Sequence, residues 1–321
     1  MQQKISYYIM IYLKHSMIHN KKSTYTNYRY IINKHINQYW SNYYVFEIND
    51  IIVMEYIEML YKLDLKSKTI KDILTILKGI FKLAQIDMKI PTPHINKPNI
   101  KIINDEDLEL LENELIKEIS YINFSIYLSL YTGIRIGELC ALKYSDINFY
   151  NRTILINKTM SRVYDNESNH TKISIDSPKT YTSIREIPIP PFLFKYLRLL
   201  KFSENDYILT GSNKYMQPRT LSYKYKKILK KLNIDNYTFH SLRHTFATKC
   251  IKMGSDVKTL SLLLGHKSVE ITLNRYVHPD INEKYKIINN LKPMNEKYYN
   301  IQTLKKMVSH LFKKECVKNS V

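Results

Sequence analysis

The placement of proline constrains this chain more than any other feature of it. No proline occurs before residue 91, and then Pro91, Pro93 and Pro98 fall within eight positions. Proline lacks an amide donor and biases its predecessor away from helix, so helices can run long before residue 91 and are interrupted there. Gly79 is the one glycine in the same stretch. Ser23 or Thr24 can cap a helix running through Tyr28, Ile31, Ile32 and His35. Ile51 to Leu60 and Ser67 to Ala84 carry apolar residues at three- and four-residue spacing, with Ile70, Ile73, Leu74, Leu77, Ile80 and Phe81 on one stripe. Residues 1–90 are therefore expected to form a helical bundle, and 91–103 a proline-containing linker.

After the linker, Asn104 or Asp105 opens a helix whose first turn is acidic, Glu106-Asp107-Leu108-Glu109. These carboxylates suit the positive end of a helix dipole and are read as such, not as a metal cluster. Helical patterns follow at about 106–118, 121–132 and 136–143. A strand-like block comes next: Thr153 to Ile156 and Ile184 to Ile189, around a polar loop at Asp165 to Lys172. Further helices are expected near 190–201, 218–232, 239–252, 256–264 and 268–276. The fold class is mainly α with a small β-sheet (α+β). A mixed α/β domain at 104–285 follows the helical domain, and a basic tail at 286–321 follows that. In the tail, Ile301, Leu304, Met307, Val308, Leu311 and Phe312 make one apolar helical face, suited to packing on a neighbouring protomer or on its own domain.

Lys plus Arg number 49 against 29 Asp plus Glu, a net charge of +20. Such a surplus points to polyanionic partners, either nucleic acid or an anionic membrane surface. No apolar stretch approaches the roughly 20 residues of a membrane span. Ile5 to Leu13 is short and lacks the small-residue cleavage site of a signal peptide. The lysines are scattered over both halves instead of lining one amphipathic helix, so no membrane partner is expected. Cys140, Cys250 and Cys316 form no C-x-x-C pair, which excludes a disulfide framework and a cysteine zinc site. A cytoplasmic protein that handles nucleic acid is the expected class.

Phosphodiester exchange needs a nucleophile, cationic groups on the non-bridging oxygens and an acid for the leaving oxygen. A metal route needs carboxylates or histidines at ligand spacing, and none are found. A side-chain route finds its residue types in four places. In Thr132-Gly133-Ile134-Arg135-Ile136-Gly137-Glu138, two glycines bracket an arginine at a break between helices. The guanidinium fork suits a phosphate because it gives two parallel charged hydrogen bonds. In Phe239-His240-Ser241-Leu242-Arg243-His244, His240 and Arg243 are three apart and share a helix face, while His244 lies round the helix and reads as structural. Leu263-Leu264-Gly265-His266 closes a helix on glycine and puts His266 just past its end. Ten residues on stands Tyr276, one of 28 tyrosines. A phenol is a poor nucleophile unless cations favour its phenolate, and Arg135, Arg243 and His240 are cations of that kind.

This set, in this order, resembles the tyrosine recombinase family, which includes phage-type integrases, Xer-type resolvases and conjugative-transposon integrases. The resemblance runs from about residue 4 to slightly beyond Tyr276. It implies a helical core-binding domain and a mixed α/β catalytic domain. By it, Arg135 is the first catalytic arginine and Glu138 the acidic residue that supports the site. His240 and Arg243 are the H-x-x-R pair, His266 the second histidine, and Tyr276 the nucleophile. The family's hairpin lysine is matched by Lys179 in Ser177-Pro178-Lys179-Thr180, ahead of Ile184-Arg185-Glu186-Ile187-Pro188, with Lys172 the alternative.

The implied activity is site-specific recombination of double-stranded DNA through a 3′-phosphotyrosyl link, whether as integration, excision or resolution. The linkage conserves bond energy, so neither ATP, metal nor other cofactor is implied. The implied assembly is a tetramer of this chain on two duplexes, with accessory DNA-bending or excision factors as allowed partners. Many transposon integrases carry an extra amino-terminal domain that reads arm sites; here the helical pattern starts almost at Met1, so that domain is expected to be absent. Type IB topoisomerases share the chemistry. A non-catalytic DNA-binding regulator on the same scaffold would bind specifically without a covalent product.

Overall fold

The structure is a computed structural model that describes residues 3–95, 100–118, 120–165, 170–178 and 183–277. Its Cα framework divides into two units, Met1–Ile271 and Thr272–Val321. The apolar face at 301–312, the rest of the tail and Lys179 lie outside the described residues.

The first unit opens with α1 (Ile5–His19) and α2 (Lys22–Ile31). Lys21 is the N-cap residue of α2, two residues ahead of Ser23 and three ahead of Thr24, the expected caps. A π turn at Ile32–Ile36 then joins α2 to α3 (Asn37–Trp40). Such a wide turn rotates the helix faces that follow it, and here Ile32, Ile36 and Trp40 are all fully buried. α4 (Asp50–Lys62) starts where Asn49 Oδ1 accepts the Ile52 amide at 3.1 Å. α5 (Ser67–Leu83) buries the predicted stripe from Ile70 to Phe81. These helices share one hydrophobic cluster centred on Trp40, whose ring meets Tyr56 and Phe81 edge-on at 5.1 and 5.2 Å.

A second cluster is built by the elements after the prolines. α6 (Asp105–Lys117), capped by Asn104 Oδ1 on the Asp107 amide at 2.7 Å, precedes α7 (Tyr121–Thr132) and α8 (Ile136–Ala141). β1 (Ile147–Asn148) and β2 (Thr153–Ile156) follow, then β3 (Thr159–Asp165), β4 (His170–Asp176) and β5 (Arg185–Pro188). The chain continues through α9 (Pro191–Leu199), α10 (Pro218–Lys231), α11 (Phe239–Lys252), α12 (Val257–Leu264) and α13 (Val269–Tyr276). β1, β2 and β5 form an antiparallel sheet in which Ile154 faces Ile187 and Ile156 faces Arg185. Leu111, Phe124, Leu139, Ile154, Leu193 and Leu242 fill the cluster between sheet and helices.

The expected polar loop at 165–172 is a correction. Its described residues, Asp165 and His170 to Lys172, are strand: β3 pairs antiparallel with β4 from Thr159↔Asp176 to Asp165↔His170. Its polarity misled because β4 is a largely exposed ribbon. Backbone pairing holds such a ribbon whatever its outward side chains are, and its strand signal is the recurrence of Thr, Val, Tyr and Ile. α2 lies against β3. Lys21 Nζ donates to the Ser177 and Pro178 carbonyls at 3.1 and 2.9 Å, tying the first helices to the end of the ribbon. Among the described residues no helix is long and apolar enough to cross a membrane.

Candidate active site

The site is organised by the end of one helix. α12 stops at Gly265, which adopts φ +62° and ψ +49°. The last carbonyls of a helix have no partner within it and sit at the negative end of its dipole. Three arginines from three different elements take those carbonyls. Arg185 Nε donates to Leu263 O at 2.6 Å, Arg243 Nη2 to Leu264 O at 2.6 Å, and Arg135 Nη2 to Gly265 O at 2.9 Å. His266 is the next residue, buried, with its amide on Ser261 O at 3.1 Å.

Local sequence explains how each arginine arrives. Gly133 ends α7 at φ +64°, a left-handed turn that glycine adopts without penalty. Its carbonyl accepts Arg243 Nη1 at 2.7 Å, so the turn presenting Arg135 also anchors Arg243. Gly137 takes no part in that turn. It sits inside α8, where a Cβ would come within 2.7 Å of Met160 O on β3. Arg135 is the N-cap of α8, and Glu138 reaches back to its amide (3.0 Å) and to its guanidinium (2.8 Å). Arg243 lies on the face of α11 turned towards α7 and is 2% exposed, whereas the Arg135 side chain is 34% exposed.

Glu138 is 3% exposed and is shared. Arg185 donates to both of its oxygens, from Nη2 at 2.8 Å and from Nη1 at 3.1 Å. Burial pushes the Glu138 carboxyl upward, but the Arg185 hydrogen bonds and charge, then the charge and amide of Arg135, outweigh it and hold the group below its ordinary range.

His240 is exposed near the start of α11, and its ring stands edge-on to His244 at 4.5 Å. Lys172 is exposed on β4 opposite Val163. Tyr276 ends α13, is 7% exposed and belongs to the second unit.

The phage integrase family model matches residues 104–283, which span these elements from α6 to the end of α13. The chain belongs to the phage integrase family. It is a tyrosine recombinase, an enzyme that cuts and rejoins DNA at specific sites through a tyrosine. A XerC-like tyrosine recombinase of Caldanaerobacter subterraneus is 29% identical over 77% of this chain and 71% of its own length. Among solved structures, the Tn1549 transposon integrase in complex with a circular intermediate DNA aligns with TM-score 0.74 at 19% identity, over 90% of this chain and 99% of that one. A lambda integrase tetramer bound to a Holliday junction aligns with TM-score 0.60 at 17% identity, over 87% and 80%. At such identities these two share the fold.

Arg185 of the recombinase is the one site residue that sequence reasoning passed over. A signal for it exists: β5 alternates buried and exposed, and Arg185 is in phase with the buried Ile187. An arginine at an inward strand position calls for a buried acid, and Glu138 is that acid.

Proposed function

We propose that Tyr276 attacks the scissile phosphate in line, forming a 3′-phosphotyrosyl bond as the bond to the 5′-oxygen breaks. Lys179 protonates the leaving 5′-oxygen, and His240 assists proton transfer or orients the phosphate. Arg135, Arg243 and His266 stabilise the charge that develops on the non-bridging oxygens. The free 5′-hydroxyl of a partner strand then attacks the phosphotyrosine and releases the enzyme, so strands are exchanged without loss of a high-energy bond. The observation that carries these assignments is the gathering of Arg135, Arg243 and His266 at the last turn of α12. Arg135 is suited to a phosphate because the carbonyl and carboxylate bonds use two of its five N–H donors while the side chain stays partly open to solvent.

The two hydrophobic clusters support a reading of 1–90 and 104–285 as two DNA-binding domains that grip one duplex from either side, joined by the linker at 91–103. Four copies acting on two duplexes is the assembly that strand exchange requires, and a lambda integrase tetramer of similar fold sits on a Holliday junction.

The test is covalent trapping with duplex DNA from the region flanking the gene, carrying a nick near each candidate site so that cleavage frees a short fragment and cannot reverse. Wild type should give a protein–DNA adduct on a denaturing gel. Tyr276→Phe should bind the same DNA and give none, and an adduct from that variant would refute the assignment. Arg135→Ala should slow adduct formation on the order of a hundredfold while changing affinity far less. Equal losses in both would make Arg135 a docking contact only.

A further inference from the structure

We propose that Arg185 is a positioning residue of the recombination reaction: it fixes the Glu138 carboxylate, and through it the angle at which the Arg135 guanidinium meets the scissile phosphate. The inference rests on the reading of Arg135 as a phosphate ligand.

Arg185 is built to point inward. It is 9% exposed, and besides Glu138 and Leu263 O its guanidinium holds the Ser183 carbonyl at 3.1 Å. Four hydrogen bonds into the protein commit it to the fold. What it holds is the one group that Arg135 consults twice. Glu138 Oε1 receives Arg135 Nη1 and Arg185 Nη1, while Oε2 receives the Arg135 amide and Arg185 Nη2. A fork on a carboxylate admits one coplanar arrangement. Arg185 therefore sets the carboxylate plane, and through it one oxygen holds the Arg135 guanidinium while the other holds the Arg135 amide.

The same guanidinium locks the other end of Arg135. A Cβ on Gly265 would lie 3.0 Å from Arg185 Nη1 and 3.1 Å from its Cδ, so the backbone whose carbonyl receives Arg135 is pressed against Arg185. Lysine, a point charge on a flexible stem, cannot hold Glu138 in a fork and Leu263 O together. Misplacement of a catalytic group by about 1 Å can cost about a hundredfold in rate.

The experiment is single-turnover adduct formation on nicked DNA, at saturating full-length protein, for wild type, Arg185→Lys, Glu138→Gln and the double variant. Each single variant should bind DNA with unchanged affinity and form adduct with a rate constant lowered by about a hundredfold. The double variant should be no slower than the slower single one, because both act through one contact. Methylguanidinium should restore part of the rate to Arg185→Ala. A residue that only supports folding would instead lower the fraction of protein that reacts and leave the rate constant of that fraction intact. That outcome, a wild-type rate in Arg185→Lys, or additive losses in the double variant would overturn the proposal. Absence of adduct from wild type on DNA that it binds would overturn the functional reading first, and Arg185's role with it.

Discussion

Burial pushes the Glu138 carboxyl upward, and its arginine partners outweigh that push. Arg185 and Arg135 keep its carboxyl below the ordinary range, so the folded protein binds that proton more weakly than the unfolded chain does. The sign follows. The stabilisation is fully present above the unfolded value of about 4.3 and is lost as pH falls through the lower, folded value. Glu138→Gln should therefore melt below wild type at neutral pH, and the gap should close as the pH drops under about 4. Thermal melts of both proteins across pH 3 to 7, on the order of one point per half unit, measure this; a gap independent of pH would mean that Glu138 is not ionised in the fold. Arg135, His240, Arg243, His266 and Tyr276 are proposed from residue type and spacing, and Glu138 from the family resemblance. Arg185 is not among them, because its partners Glu138 and Leu263 stand 47 and 78 positions away.

At the scale of elements, two left-handed glycines shape the site: Gly133 at the end of α7 and Gly265 at the end of α12. A Cβ on Gly133 would sit 2.6 Å from the Phe246 ring and 3.0 Å from Leu264. Gly133→Ala should lower stability by about 1–2 kcal/mol from the backbone conformation alone, and by more through the displaced ring. Because the Gly133 carbonyl holds Arg243, adduct formation should fall further than the loss of folded protein explains. Denaturant titration read beside single-turnover cleavage checks both; a rate that simply tracks folded fraction would separate this turn from catalysis. Helix bounds were largely legible, since a 3.6-residue period and its caps are written within one stretch of chain. α11 falls on its expected span, 239–252. The β3–β4 ribbon was not, because β4, largely exposed, has little apolar alternation to betray it.

At the scale of the molecule, the charge of +20 suits a polyanionic partner. Lysine contacts to phosphate release counterions, so affinity for duplex DNA should fall about 10³- to 10⁵-fold between roughly 50 and 200 mM salt if six to ten phosphates are engaged. Fluorescence anisotropy over that range tests it, and a flat response would contradict a grip made of phosphate contacts. The sequence by itself carried most of the helix spans, the resemblance that gives the family and the candidate residues for transesterification. These depend on local spacing and side-chain chemistry, which a chain carries whether or not it is folded. Only the tertiary structure decided that three arginines close the last turn of α12 and that one carboxylate serves two of them. Those bonds join positions up to 130 residues apart. Burial and the unpaired carbonyls of a helix end select such partners, and neither exists until the chain has packed.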